Sequence, residues 1–490
     1  MPFNPLSFWG GDPAQQALVP PGGVSPNGLP VLTWDQGAVQ ITRNNDSWNT
    51  ELGTPLTITY AFRATGVNDP GLGVTGFQVF NPIQIAVAEE SLRLWSEVAN
   101  INFVRVGSGT SGPGAFSDNA TILFGNFLVG AANFTAFAYL PEPGMTAPGD
   151  YEGDIWTNVS RNYMADPATY PRGAGTLAHE IGHALGLLHP SEYGGGADGG
   201  ATYQNDAEFW QDTGMFTVMS YYSAAHTGGV YGTGAFAPQM FDIAAIQRLY
   251  GANMTTRTGD TVYGFNSNSG HDVFSIASAG EAAVFCIWDA GGVDTLDLSG
   301  YNTNSEIDLR AESFSSAGPA GAVSARYNIS IARGVVIENA IGGTGDDTII
   351  GNDADNVLTG GSGADVLDGG AGVDTANYAS SSAGVVIRLW NGTGQFGEAQ
   401  GDTLSGIENL VGSNFADSLQ GEHGVNNHFI GGGGNDSLYG VGGSDTLDGG
   451  AGNDTLFGGA DADTLIGGAG VDTANYASSS AGVVIRLWNG

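Results

Sequence analysis

Residues Thr176-Leu-Ala-His-Glu-Ile-Gly-His-Ala-Leu-Gly-Leu-Leu-His-Pro190 contain His179, Glu180, His183, Gly186 and His189 in the uninterrupted spacing H-E-x-x-H-x-x-G-x-x-H. Histidines four residues apart share one face of a helix, within reach of a single ion. Glu180 stands beside them, close enough to a metal-held water to take its proton. The helix is expected to stop at Gly186, because glycine accepts the positive φ that turns a chain back. That turn would return His189 as a third nitrogen ligand and leave zinc one open position. Leu177, Ile181, Ala184, Leu185 and Leu188 would equally suit the buried face of an ordinary amphipathic helix, and a bare HExxH arises by chance. The added glycine and third histidine decide for a zinc site.

A chain of 490 residues has room for two or three domains. Thirteen basic residues, all arginine, face fifty acidic ones, for a net charge of −37. The absence of lysine excludes Schiff-base chemistry and a P-loop. The excess of acid argues against nucleic acid or anionic membrane as partner and suggests bound cations, most simply calcium. The single Cys286, in Val284-Phe-Cys-Ile-Trp288, rules out an internal disulfide framework and reads as a small buried apolar residue. The N-terminus has neither the basic region nor the apolar run of a signal peptide, and no segment approaches the length of a membrane span. The expectation is a soluble protein that, if exported, uses no cleaved N-terminal signal.

Residues 1–30, rich in Pro, Gly and Asn, read as an irregular arm or short pro-segment. Thr33–Trp48 suits a short helix, and Leu56–Phe62 alternates as a strand should. Ile85, Ala88, Leu92, Trp95 and Val98 recur at helical spacing over 83–98. Strands are expected at 102–106, 120–124 and 135–140, and an amphipathic helix at 236–250. Met219 and Tyr221 would each pass as ordinary buried residues, but as a pair they follow a three-histidine motif.

Beyond Gly251 the texture changes to strands, Gly and Asp. A nine-residue unit begins with Gly-Gly-Thr-Gly-Asp-Asp-Thr-Ile-Ile at 342, degenerates at 351, and returns at 360 and 369. A second block starts at Gly431 and repeats at 440, 449, 458 and 467, after degenerate units at 412 and 421. A glycine-rich turn followed by a short apolar strand, at this period, names a β-solenoid. Turn carbonyls and the sixth-place Asp would make all-oxygen calcium sites between stacked turns. A flexible linker would not hold Asp and an aliphatic residue at fixed places. Gly370–Gly392 and Gly468–Gly490 are the same 23 residues, offset by 98. The first copy continues through Leu419, so the expectation is a chain cut mid-module.

The motifs together resemble the serralysins, secreted bacterial zinc endopeptidases of the metzincin clan with a C-terminal calcium-binding β-roll. The likeness covers nearly all of 25–475, most specifically Leu177–Pro190, Val218-Met-Ser-Tyr221, Asp242–Asn253, Thr256–Phe265, Ile287–Ser299 and Val336–Gly343. It implies an α+β fold class: a metzincin-type zinc protease domain at 31–253, then an all-β parallel β-roll. The roll would comprise a calcium-binding β domain with the first repeat block at 254–392, and a spacer with the second block at 393–490. By resemblance, His179, His183 and His189 hold zinc and Glu180 is the general base. Met219 becomes the Met-turn floor beneath the metal, and Tyr221 contacts zinc at rest and swings to the oxyanion. Phe137-Ala-Tyr-Leu140 looks like the edge strand on which substrate lies extended.

The family's calcium positions fall on Arg257, Gly259, Thr261, Asp289, Gly291, Gly292 and Asp294, with Val336 and Glu338. In the first block they fall on Gly343, Gly345 and Asp347, on Gly361, Gly363 and Asp365, and on Gly370, Gly372 and Asp374. In the second they fall on Gly432, Gly434 and Asp436, Gly443 and Asp445, Gly450, Gly452 and Asp454, Gly459 and Asp463, and Gly468, Gly470 and Asp472. Asn352, Ala354, Asn356, Val441 and Asp461 depart from the pattern, which puts calcium binding at those turns in doubt. The likeness also implies one zinc and several calcium ions, extended polypeptide substrates, a periplasmic protein inhibitor, export by a type I apparatus, and a monomer. Two other readings stay open: a calcium-dependent adhesion protein with a vestigial zinc head, and a narrow hydrolase acting on one partner protein.

Residues 341–490 hold nineteen acids and two arginines, a net of −17. Neighbouring carboxylates repel in a compact roll, so binding of calcium is expected to drive its folding. Circular dichroism in a strong chelator at neutral pH should show most of the β signal lost. Full β content there would contradict calcium-driven folding.

Overall fold

The computed structural model describes residues 21–477 except 67–73, 129–134, 147–150, 194–200, 232–233 and 321–322. The N-terminal arm up to residue 20 and residues 478–490 of the second 23-residue copy lie outside the described residues. Two compact units emerge. The first comprises Met1–Thr256, Val284–Ala290 and Arg326–Arg333, and the second Arg257–Ala283, Gly291–Ala325 and Gly334–Gly490.

The first unit runs α1 (Trp34–Ile41), β1 (Leu56–Phe62), α2 (Pro82–Val98), β2 (Ile101–Arg105), β3 (Ile122–Phe127), β4 (Ala136–Ala138), β5 (Ile155–Asn158), α3 (Asn162–Ala165), α4 (Pro171–Ala184), α5 (Tyr203–Asp206) and α6 (Met240–Tyr250). Among the described residues its main sheet has five strands, in the order β2-β1-β3-β5-β4. They are parallel except for the edge strand β4, which runs antiparallel to β5. α2 begins with a capping box between Asn81 and Gln84 and a proline at its first turn. Ile85, Ala88, Leu92, Trp95 and Val98 are all buried, as their spacing requires. The Trp95 indole donates to the Ala178 carbonyl of α4 at 3.2 Å, tying α2 to the zinc-motif helix.

Several elements differ from expectation: α6 starts at Met240 rather than 236, and β4 covers only Ala136–Ala138 of the expected 135–140. α1 ends at Ile41 rather than continuing to Trp48: Thr42 leaves helical geometry at φ −123°, and its hydroxyl donates to the Ala38 carbonyl (2.6 Å). β3 lies two to three residues later than expected and carries Gly125 and Asn126 inside it. Buried Asn126 exchanges amide hydrogen bonds with Gln84 of α2 at 2.9 and 3.0 Å. β5 is buried at every position, and Ile-Trp-Thr-Asn is too short and too mixed to show a period. Cys286, as expected, is buried; it lies in Phe285–Ile287, which pairs in parallel with Ile329–Ile331.

The second unit is a solenoid of two strand stacks, nine and ten strands long. Strands are mostly three residues, and successive units alternate between the stacks. Within a repeat block a strand therefore pairs with one eighteen residues away, as in Thr348↔Val366, Val357↔Thr375 and Thr446↔Thr464. The middle residue of each strand points inward: Ile349, Leu358, Leu367, Leu438 and Leu447 are completely buried. Each contributes ~1.5–3 kcal/mol of apolar burial, and the residues flanking it are half-buried or exposed. The region between the repeat blocks does not break the stacks. Val386–Arg388, Thr393–Gln395 and Thr403–Ser405 form an antiparallel meander inside the ten-stranded sheet, paired in parallel on either side to Ser418–Gln420 and Val366–Asp368.

The sixth-place aspartates form a ladder. One oxygen of Asp365 accepts the backbone N–H of Asp347 (2.8 Å), one of Asp436 that of Asp417 (2.8 Å), and one of Asp454 that of Asp436 (2.9 Å). Burial pushes Asp365 and Asp436 up to about 7, and Asp374 and Asp402 up to about 6. A carboxyl whose pKa is higher folded than unfolded favours the fold while protonated, and loses that contribution as pH rises through the folded value. Protein freed of divalent cations should therefore have its most stable roll near pH ~4, with a melting midpoint that falls as pH passes about 6 to 7. Saturating calcium should abolish that fall. A midpoint that rises over the same range in chelator would contradict the sign.

Candidate metal centre and active site

α4 carries the first two histidines, and its exit places the third. The chain leaves the helix through Leu185 and Gly186, the latter at φ +102°. The Gly186 N–H bonds the His183 carbonyl (2.9 Å) and the Leu187 N–H the Gly182 carbonyl (2.9 Å), the paired bonds of a Schellman turn. A side chain at 186 is doubly excluded, because its Cβ would stand 2.0 Å from the Asp46 carbonyl. The turn also reaches back into the site: its Leu187 carbonyl lies 2.7 Å from Nδ1 of His183.

With the turn made, the three imidazoles converge. His183 Nε2 is 3.1 Å from His189 Nε2, which is 3.3 Å from His179 Nε2. Among the described residues this is the one group of three or more His, Cys, Asp or Glu placed to hold an ion. His179 Nδ1 lies 2.8 Å from the Val218 carbonyl. Backbone acceptors at the Nδ1 atoms of His179 and His183 leave their Nε2 lone pairs free to converge, the tautomer a metal ligand needs. Burial lowers all three pKa values, His179 to about 4 and His183 to about 3, so the rings are neutral. Glu180 is buried, its Oε2 has no hydrogen-bond partner among the described residues, and burial pushes it up to about 8. A dication among the histidines would reverse that shift, since opposite charge favours the carboxylate. Three convergent neutral nitrogens with an unsatisfied carboxyl beside them fit zinc with an open position.

Met219 is completely buried and packs beneath α4, where a Cβ on Gly182 would meet its sulfur at 2.6 Å and Trp95 at 3.3 Å. The Tyr221 ring, 40% exposed, lies 4.4 Å from that of His189 and stacks on His179 at 5.6 Å. Arg43 donates to the His189 carbonyl at 2.7 Å, so the segment just after α1 braces the third histidine. β4 lies against α4 at the edge of the sheet.

Two buried carboxylates escaped the sequence reading. Asp242 accepts from the Thr217 hydroxyl (2.5 Å) and from the N–H groups of Val218 and Gln239 (2.8 Å each), fixing the segment whose carbonyl faces His179. The Gln239–Asp242 spacing of a capping box was the available signal. Asp212 accepts from Ser191, Tyr193 and Ser220, and nothing in its local sequence announces this.

In the roll, Asp365, Asp374, Asp436, Asp445 and Asp454 are buried with a second carboxylate oxygen that has no hydrogen-bond partner among the described residues, which suits a cation between turns. Asp347 has both oxygens occupied, by the N–H groups of Ser305 and Gly343. Asp463 and Asp472 take their places in the ladder at 3.1 Å. The first-place glycines, not singled out from sequence, make room for these carboxylates: a Cβ on Gly360 would stand 2.3 Å from Asp365 and one on Gly431 2.5 Å from Asp436. Val441 and Asp461 keep the left-handed backbone, at φ +80° and +73°, despite departing from glycine. Asp294, in the second unit, receives the Thr261 N–H and donates its own to Glu338, both at 2.7 Å. Arg257 covers the Phe274 ring, and Asp289 falls in the first unit.

Metallopeptidase AprA of Pseudomonas marginalis is 42% identical over 338 residues, covering 67% of this chain and 67% of the relative. The chain belongs to the serralysin family. Serralysin B of Dickeya chrysanthemi is likewise 42% identical over 334 residues, 67% of this chain and 66% of the relative. Serralysin of Proteus mirabilis is 39% identical over 328 residues, 66% of this chain and 65% of the relative. The chain thus spans about two thirds of the length of these serralysins, or slightly less. Residues 252–485 match the family described as Peptidase M10 serralysin C terminal, and 122–231 that described as Pregnancy-associated plasma protein-A. The serralysin fold expected from the motifs is the one observed, an α-helix-bearing first unit and a parallel β-roll.

The contact between Gly182 and Met219 gives a direct test of the floor beneath the histidines. Gly182→Ala should lower the stability of the metal-loaded protein by ~1–3 kcal/mol in urea titration, because overpacking forces the sulfur or the helix to move. An unchanged denaturation midpoint would show that Met219 is not held against α4.

Proposed function

We propose that this chain is a secreted, calcium-stabilised zinc metalloendopeptidase that hydrolyses peptide bonds in extracellular proteins. The observation that carries the reading is the meeting of three Nε2 atoms, 3.1 and 3.3 Å apart, beside the unsatisfied Oε2 of buried Glu180. His179, His183 and His189 would hold zinc. When bound, the metal supplies Lewis acidity that makes a water acidic enough to lose its proton near neutral pH. Glu180 takes that proton on its carboxylate and returns it to the leaving amine nitrogen. The Tyr221 phenol donates a hydrogen bond to the oxygen that gains charge in the transition state. Substrate lies extended along β4, adding a strand by main-chain pairing at the open edge. Calcium held by turn carbonyls and the unsatisfied oxygens of Asp365, Asp374, Asp436, Asp445 and Asp454 neutralises the roll and fixes its coils. Export through a type I apparatus and restraint by a periplasmic inhibitor are further parts of this proposal.

Casein hydrolysis tests the reading, with wild type beside Glu180→Ala and each metal added back after chelation. Wild-type activity should require both zinc and calcium. Glu180→Ala should retain its zinc and lose a factor of ~10²–10⁴ in kcat. Near-normal turnover in that variant would remove Glu180 from the chemistry.

A further inference from the structure

Asp212 has no part in the steps above, yet it is completely buried and its two oxygens accept three hydroxyl donors. Ser191 Oγ donates to Oδ2 at 2.5 Å, and Tyr193 OH and Ser220 Oγ donate to Oδ1 at 2.6 and 2.7 Å. Each donor is linked to the metal centre by a different route, along the chain or by ring contact. Ser191 lies two residues beyond His189. The Tyr193 ring stands 5.3 Å from the His189 ring and 4.9 Å from the Tyr221 ring. Ser220 directly precedes Tyr221, and its Oγ also accepts the Tyr222 N–H at 3.1 Å. The Tyr222 carbonyl in turn receives the Gly214 N–H at 2.8 Å. The backbone is thus pinned on both sides of Tyr221, itself a part-exposed residue.

We infer that Asp212 is a positioning residue for Tyr221: one buried carboxylate ties the segment after the third histidine to the segment bearing the phenol, and so fixes where that phenol stands over the histidines. The inference rests on the role proposed for Tyr221. A rigid mount matters because the hydrogen bond to a developing charge is made only in the transition state, where small misplacement costs rate and leaves substrate affinity alone. A serine two residues after His189, a tyrosine two further on and a serine before Tyr221 share one acceptor, which makes the mount a single device.

The test is a double-mutant cycle on the full chain, loaded with zinc and saturated with calcium. kcat and KM are measured on one peptide substrate for wild type, Ser220→Ala, Tyr221→Phe and the double variant. Ser220→Ala is chosen over a change at Asp212 because it leaves the buried carboxylate two of its three donors. It should lower kcat about tenfold with KM held within about twofold and zinc content unchanged. In the Tyr221→Phe background the same change should alter kcat by less than about twofold, since the group being positioned is gone. Tyr193→Phe, which removes the other donor to the same oxygen, should repeat the pattern and serves if Ser220→Ala does not fold. Equal losses in both backgrounds, a rise in KM with kcat unchanged, or no effect from either hydroxyl would overturn the positioning role. A wild-type kcat in Tyr221→Phe itself would overturn the role of the phenol, and this inference with it.

Discussion

The turn at Gly186 governs the first unit. An α-helix places His179 and His183 on one face with no outside help, but two histidines make a weak site. The third arrives only because the chain reverses within two residues, through a left-handed glycine pressed against the Asp46 carbonyl. The reversal also turns a carbonyl onto His183. One local conformation therefore supplies a ligand and orients another. The remainder of the unit braces that turn: Trp48 donates to the Ala184 carbonyl, Tyr250 to that of Leu185, and Arg43 to that of His189.

The second unit is governed by a different constraint, the burial of carboxylates in a chain region carrying nineteen acids. Each sixth-place aspartate spends one oxygen on the backbone of a neighbouring coil, and several leave the other unsatisfied. An apolar column of leucines holds the two stacks together, but it cannot neutralise the charge that the turns bring together. A cation can, and the same geometry makes the roll's stability depend on what occupies its turns.

Much of this was legible in the residues. A zinc motif eleven residues long and a nine-residue period are local patterns, and local patterns survive in sequence. The helix over 82–98 and the strand at 56–62 announced themselves through spacing for the same reason. What escaped were features set by distant partners. β5 is a strand because β3 and β4 flank it, not because Ile-Trp-Thr-Asn prefers to be one. Asp212 gathers donors from residues 191, 193 and 220, and no single window contains the arrangement. The glycines at the first place of each repeat looked like turn formers, whereas their visible task is to leave space for a carboxylate.

The meander between the repeat blocks carries a lesson about how the solenoid keeps register. Within a block, a rung joins residues eighteen apart. Across the meander, the Asp365 N–H reaches Asp402 instead, and the Asp374 N–H reaches Glu408, both at normal hydrogen-bond distance. The stack counts acidic acceptors rather than residues. A solenoid built on that rule can take up an extra hairpin wherever an acid stands ready to resume the count. It thereby offers a grafting position for foreign β-structure inside an otherwise periodic scaffold.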